Sequence, residues 1–477
     1  MSRFHLIYTP LLLATACSGG EPTTEDTPAP GPDDTAAVDD TAEPTDDTDQ
    51  PVDDDGDGFE ADEDCDDDDP SIYPGAVEIC DGVDRDCNSA TTGDAGVLLD
   101  GQWAFATIQE GVDAAAAGAT LEVCEGTYSE SVFVERFLVL QSMGGSSATW
   151  IQASGGGAAV TSTAPSLTLR GFTLSGGQGA SLDSGYTAGG GLAATGSSTL
   201  LVEASVLSGN TADFGGGLFA TGFSSVTLNE VLIEENAASY GGGMYLGDAS
   251  TVASGVEVRG NEAVVSGGGL YLDLASLEGT GLTVSDNAAD YLGGGAYLNG
   301  SAATVDTSTF ERNDSSGGGA LTAFDSTLTL DSVDLSGNTA DTNAAGLYLF
   351  NTDATLEGLS AEENVSEFGA VVLLYESVGA VTGGTYTENE ATYTAGVFRV
   401  EEGSTLTVTE ASVFGNLAGS SGGAASVTDG TLTSVASDWG AGEDDNTPDD
   451  LAVGWSGSFS YDGVASFACA SDTETCD

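Results

Sequence analysis

The 477-residue sequence contains no lysine, a single histidine (His5) and only 11 prolines. Its seven basic residues are all arginines, set against 77 acidic residues, for a formal charge of −70. Lysine is therefore missing as a general base, and the one histidine lies in an N-terminal stretch expected to be removed. A charge of this sign repels a phosphate backbone, so nucleic acid is excluded as a partner. Anionic lipid head groups and polyanionic sugars are disfavoured in the same way unless cations intervene, and the plainest use of the charge is solubility. No segment approaches the ~18 uninterrupted apolar residues of a transmembrane helix. What the chain does have is glycine, 69 residues of it.

The first 16 residues, MSRFHLIYTPLLLATA, place Arg3 before a short apolar stretch from Leu6 to Ala14. Ala14-Thr15-Ala16-Cys17 comes next, small residues before a cysteine, and resembles a bacterial lipobox. The resemblance implies a signal peptide over 1–16 and a lipid on Cys17. Ser18 rather than Asp after the cysteine implies an outer-membrane destination, with the protein at the cell surface or outside it. Residues 17–52 are mostly Thr, Pro, Asp, Glu and Ala. Such a stretch buries too little to offset its ordering entropy, and like charges extend it, so it reads as a disordered acidic spacer.

Residues 53–98 form an acidic module containing cysteines. Asp53, Asp55 and Asp57 stand at positions 1, 3 and 5 of a loop. Gly58 is at the turn position, the Phe59 carbonyl at position 7 and Asp64 at position 12. That is the oxygen spacing of an EF-hand-like calcium loop with Asp in place of the final Glu. A weaker second set is Asp66, Asp68, Asp81, Asp84 and Asp86. Hard carboxylates without histidine favour calcium over copper or zinc, in a structural role. DGDGF, EDCDDDDPSIYPGAVEICDG and DRDC resemble the metal-binding motif of MopE-type surface proteins, which implies an extracellular, metal-stabilised module.

Six cysteines remain after Cys17, an even number that suits disulfides in an exported protein. Cys469 and Cys476 are expected to close a small C-terminal loop. Cys65, Cys80, Cys87 and Cys124 allow three pairings, and a bond to Cys124 would staple the module to the larger C-terminal part of the chain.

From about residue 185 the chain repeats. Asn210, Asn236, Asn261, Asn287, Asn313, Asn338, Asn364, Asn389 and Asn416 recur at intervals of 25 to 27 residues. Most are followed by a glycine cluster, such as Gly215 to Gly217 or Gly317 to Gly319, and then a short apolar strand such as LYL. A period near 25 with β-rich pieces and no helical spacing predicts an all-β chain, a single-stranded right-handed parallel β-helix with one coil per repeat over 99–440. Like positions then stack, and the asparagines form structural side-chain ladders at a turn. The pattern resembles the pectin-lyase-like superfamily, and its GGG-L-Y and S-G-N elements resemble polymorphic outer-membrane protein repeats. A short amphipathic helix near Ile108 to Ala117 would plug one end, and 441–477 would cap the other.

Alternation within Leu270-Tyr271-Leu272 sends the leucines one way and the tyrosine the other. With leucine inward, Phe219, Tyr245, Tyr271, Tyr297, Tyr348 and Phe398 form an outward aromatic stripe able to meet sugar rings or a partner protein. No catalytic constellation emerges. Arg170, Arg259 and Arg312 are the positive charges of the earlier coils, of which Arg259 and Arg312, beside the repeat Asn, look like solvated corners, and acidic residues such as Glu234, Glu235, Asp286, Asp290, Glu362 and Glu363 are plentiful without forming a constellation. The expected function is a non-catalytic surface adhesin, scaffold or glycan- or protein-binding lipoprotein. The alternative is a polysaccharide lyase or glycoside hydrolase. An autotransporter passenger is disfavoured, since no membrane-barrel strands come after the repeats.

Overall fold

The computed structural model describes residues 53–76, 79–81, 83–87, 96–101, 103–196, 199–222, 225–440, 445–454 and 456–461. The expected signal peptide, Cys17, the spacer, and Cys469 and Cys476 lie outside the described residues.

The repeat folds as a right-handed parallel β-helix of about 13 turns. One coil shows the plan. Ser250–Ser254, Glu257–Arg259, Glu262–Ser266 and Leu270–Asp273 form its four faces in order. Each face pairs in parallel with its equivalent in the next coil, as in Tyr271 opposite Tyr297 and Leu272 opposite Leu298. Ala253, Val258, Leu270 and Leu272 point into one continuous core and alternate along their strands with more exposed neighbours such as Val252, Glu257 and Tyr271.

Sharp corners join the faces. Three of the four are held by one residue at left-handed φ, here Gly255, Gly260 and Gly267, and the fourth by Leu274. In other coils acidic residues take these places, among them Glu230, Glu235, Asp286, Glu363 and Glu388, all exposed. Much of the negative charge therefore decorates corners, where it meets water. At the third corner the glycine cluster has a second cause. A Cβ on Gly268 would lie 2.4 Å from the carbonyl oxygens of Ala288 and Gly294, so adjacent coils approach too closely for a side chain. In the sixth such corner the equivalent trio is Gly318, Gly319 and Ala320, one residue later than the run of three glycines suggests.

The asparagines stand beside that corner, buried, and form one unbroken ladder. Asn287 is typical. Its Nδ2 donates to the Val258 carbonyl at 2.9 Å and to Asn313 Oδ1 at 3.0 Å. Its Oδ1 accepts from the backbone N and the Nδ2 of Asn261, at 3.0 and 2.9 Å. All four hydrogen-bonding positions of the amide are filled. The ladder starts at Gly177 N, which donates to Asn210 Oδ1. It ends at Asn446, 30 residues beyond Asn416, a rung that the spacing did not reveal. Aspartate could not serve here. It has no donor, and like charges stacked at ~5 Å repel by on the order of 3 kcal/mol even at an effective dielectric of ~20.

A second ladder, at the fourth corner, carries no such mark in the sequence. Ser301, Ser326, Thr352, Ser377 and Ser404 are buried, and each hydroxyl oxygen accepts from a backbone N one coil earlier.

At the N-terminal end the helix Ile108–Ala114 packs Ile108, Gly111 and Val112 onto the first coil. Thr107 and Glu110 form a capping box, and Glu130 accepts from the Ile108 and Gln109 N–H groups. At the other end, coil structure continues past the expected boundary at 440. Leu451–Val453 and Ser458–Tyr461 pair in parallel with the preceding coil, and Trp439 is fully buried with its ring 6.2 Å from that of Phe398.

Replacing Asn287 by Ala strips Asn261 of the acceptor for two donors. Each buried unsatisfied group costs ~1–3 kcal/mol. Urea unfolding should show a loss of about 2–4 kcal/mol, and a loss under about 0.5 kcal/mol would contradict the ladder's role.

Candidate metal loop and aromatic groove

Two places bring chemistry together. In the acidic loop, Asp53 Oδ1 accepts from Gly56 N at 2.7 Å and its Oδ2 from Gly58 N at 3.1 Å. Asp55 and Asp57 each accept from the backbone N two residues on, at 3.1 and 3.0 Å. These turns gather one carboxylate oxygen each from Asp53, Asp55 and Asp57 within 4.8 Å of one another. Asp55 Oδ2, Asp57 Oδ2 and Asp64 Oδ2 are buried with no hydrogen-bond partner among the described residues. Burial, followed by the neighbouring carboxylates, pushes the Asp55 pKa up. Desolvated carboxylate oxygens left unpaired are costly, and a divalent cation between them removes that cost. The residues present therefore fit a metal ion held by Asp53, Asp55 and Asp57, whereas Asp64, the expected position 12, raises the Asp55 pKa as a neighbouring charge but is gathered beside Cys65 and Cys87 instead.

The second acidic set behaves differently. Both Asp81 oxygens are engaged by the Arg85 guanidinium at 2.6 Å, which holds the Asp81 carboxyl below its usual range. Among the described residues, Asp66, Asp68, Asp81, Asp84 and Asp86 are not gathered into a ligand group. Arg85 is the competitor that the spacing of the carboxylates does not show.

Disulfides fix the loop in place. Cys65 bonds Cys87, beside Asp64, and Cys80 bonds Cys124, which directly follows the strand Thr120–Val123. The second bond ties the module to the first coil. Loops closed over 22 and 44 residues restrict the unfolded chain by about 3–4 kcal/mol each in the chain-entropy account. Phe59 stacks on Tyr73 at 5.4 Å, with Ile72 and Ala76 buried, and these make the module's small apolar centre.

The second place is the outer side of the β-helix. Phe219, Tyr245, Tyr271 and Tyr297 form one outward column, with ring centroids 4.9–5.4 Å apart. The column breaks at buried Thr322, which separates Tyr348 from the other rings. Phe398 does not belong to it, because its register places it in the inward row, fully buried. A neighbouring column continues with Phe324, Phe350 and Tyr375. Near-parallel rings at ~5 Å must overlap, so interior rungs cover one another's faces and present edges outward. Sugar stacking along the whole stripe is therefore closed off.

A third column, Phe214 and Tyr240, stands directly before the glycine corners and meets the first at near right angles. Phe214 lies 5.5 Å from Tyr245 at 73°, and Tyr240 lies 5.6 Å from Tyr271 at 83°. With Tyr186 and Asp213 these rings line a groove of about 530 Å³. Tyr245 donates to Asp273 at 2.9 Å, and burial, then Asp273, push its pKa up. The sequence signal for this column was an aromatic residue immediately before GGG, in FGGG and YGGG.

Elsewhere, Arg259 pairs with Glu234 and Arg312 with Asp286, each across neighbouring coils. Glu362, Glu363 and Glu388 cluster at exposed corners. Arg170, Glu203 and Asn229 line a separate groove of about 560 Å³, in which Arg170 holds the Glu203 carboxyl below its usual range.

Comparison with known families matches residues 64–91 to the family described as "Cu-binding MopE, putative metal-binding motif". The match begins at Asp64 and so leaves Asp53, Asp55 and Asp57 upstream of it. Comparison with curated proteins and with solved structures returned no significant match.

A divalent cation at ~100 times its dissociation constant should stabilise the module by about 2.7 kcal/mol. Proteolysis within 53–87 should accelerate on chelation, and Asp57→Asn should abolish the difference. Cleavage rates indifferent to chelator would remove the metal from the account.

Proposed function

We propose that this chain is an exported bacterial lipoprotein whose metal-stabilised β-helix acts at the cell surface as a non-catalytic binding scaffold. The aromatic groove beside the glycine corners carries this reading, since an open apolar concavity with few polar groups is the common form of a binding site. Cleavage before Cys17 and acylation there would anchor the protein in the outer membrane, with residues 17–52 holding the folded part away from the lipid. Calcium is the ion best suited to the loop. Its donors are hard carboxylate oxygens, and the four cysteines of the described module and first coil are spent in disulfides, which leaves no thiolate for copper. The coil pattern supports kinship with pectin-lyase-like β-helices and polymorphic outer-membrane protein repeats.

The Arg170–Glu203 pair in its own groove favours a second reading, an enzyme acting on polysaccharide. Glycan and protein arrays, run beside a reducing-sugar release assay, separate the two. The binding reading expects retention on an array without sugar release, weakened at least about threefold by Tyr186→Ala, a loss of the size one exposed aromatic contact supplies. Sugar release abolished by Glu203→Gln would establish the enzyme instead. Cys17→Ser should move the protein from the membrane fraction to the medium, and calcium rather than copper(II) should restore protease resistance after chelation.

A further inference from the structure

The columns that build the aromatic groove run on along the β-helix, and near its far end the chain shows what this corner accepts. Phe214 and Tyr240 share a column that leads through Ser266, Leu292, Gly317 and Asn343 to Phe368. Tyr245 and Tyr271 share a column that leads to Arg399. Arg399 thus stands to Phe368 as Tyr271 stands to Tyr240. Its guanidinium lies 4.8 Å from the Phe368 ring centroid and is held by Glu401, with Nε donating at 2.9 Å. Glu401 in turn occupies the column of Asp273. One coil position therefore already seats a guanidinium between an aromatic ring and a carboxylate.

In the early coils the same corner holds tyrosine in place of arginine, and the groove stays open. It is lined by aromatic rings and one charged side chain, Asp213, with no positive group. Asp213 Oδ2 accepts from the Thr187 N and Oγ1 at 2.8 and 3.0 Å, which fixes the carboxylate at the groove wall. Rings and a carboxylate together select a weakly hydrated planar cation over a compact ammonium. The charge of −70 raises the local concentration of any cation.

We infer that the groove lined by Tyr186, Asp213, Phe214, Tyr240 and Tyr271 binds arginine side chains of a partner protein. The inference rests on the reading of this face as a binding surface, and it names the chemistry of the partner.

The test uses the full chain and two fluorescent peptides of equal charge, Gly-Arg-Gly-Arg-Gly and Gly-Lys-Gly-Lys-Gly, both amidated, with anisotropy read at about 0.15 M salt. The overall field attracts both alike, so only the groove discriminates. The arginine peptide should bind at least about threefold more tightly, and Tyr240→Ala should erase that preference. Asp213→Asn keeps an oxygen acceptor for Thr187 and should weaken the arginine peptide by about three- to tenfold while leaving the melting temperature in place. Equal binding of the two peptides, unmoved by either substitution, overturns the inference. So does groove-dependent binding of tetramethylammonium without binding of the arginine peptide. If Tyr186→Ala still weakens array binding while the peptides are not distinguished, this inference fails and the binding-scaffold reading stands.

Discussion

The structure depends on buried asparagine amides that bond to one another from coil to coil. A parallel β-helix must turn its backbone several times per coil, and each turn leaves N–H and carbonyl groups that no sheet can pair. At the corner between the second and third faces, the Asn side chain supplies both an acceptor and two donors. Each rung satisfies a backbone N–H and a carbonyl of the preceding coil and donates to the side chain of the next. The glycine-rich corner lies against this amide. A Cβ on Gly269 would come within about 3.2 Å of the Asn287 amide, so tight corner and buried amide require each other. With that corner fixed, the aromatic columns outside and the aliphatic rows inside fall into register.

The period and the buried ladder were legible because asparagine and triple glycine stand out against a background of Ser, Thr, Ala and Asp. Other features lacked that contrast. The Ser301 to Ser404 ladder is built from residues abundant everywhere in the chain, so nothing marks the buried ones. Asn446 escaped because its coil is longer than the repeat. Phe398 resembles the neighbouring aromatics and so reads as outward, but alternation counts from the corner, and the corner at Ala395 to Val397 places it inward. The first aromatic column was legible from alternation. The groove was not, because it needs two columns, one on each side of a glycine corner, brought together only by the bend.

The acidic module follows the opposite logic. Its oxygen spacing was readable because loop ligands are local in sequence. The Asp81–Arg85 pair shows the limit of spacing, since a nearby cation can take a carboxylate that a pattern assigns to a metal. Cys80 and Cys124 join module and first coil, so a part too small and too charged to hold a core borrows rigidity from the solenoid. Many of the exposed left-handed corners carry carboxylates, and the one cation drawn against an aromatic ring among the described residues, Arg399, lies where the columns of the groove continue.

Hydrogen–deuterium exchange across the repeat tests the amide ladder most directly. The account predicts that backbone amides of Asn236 through Asn389, though at corners, exchange as slowly as the core strands of the same coils. Fast exchange at these positions, at the rate of unprotected amides, would contradict it.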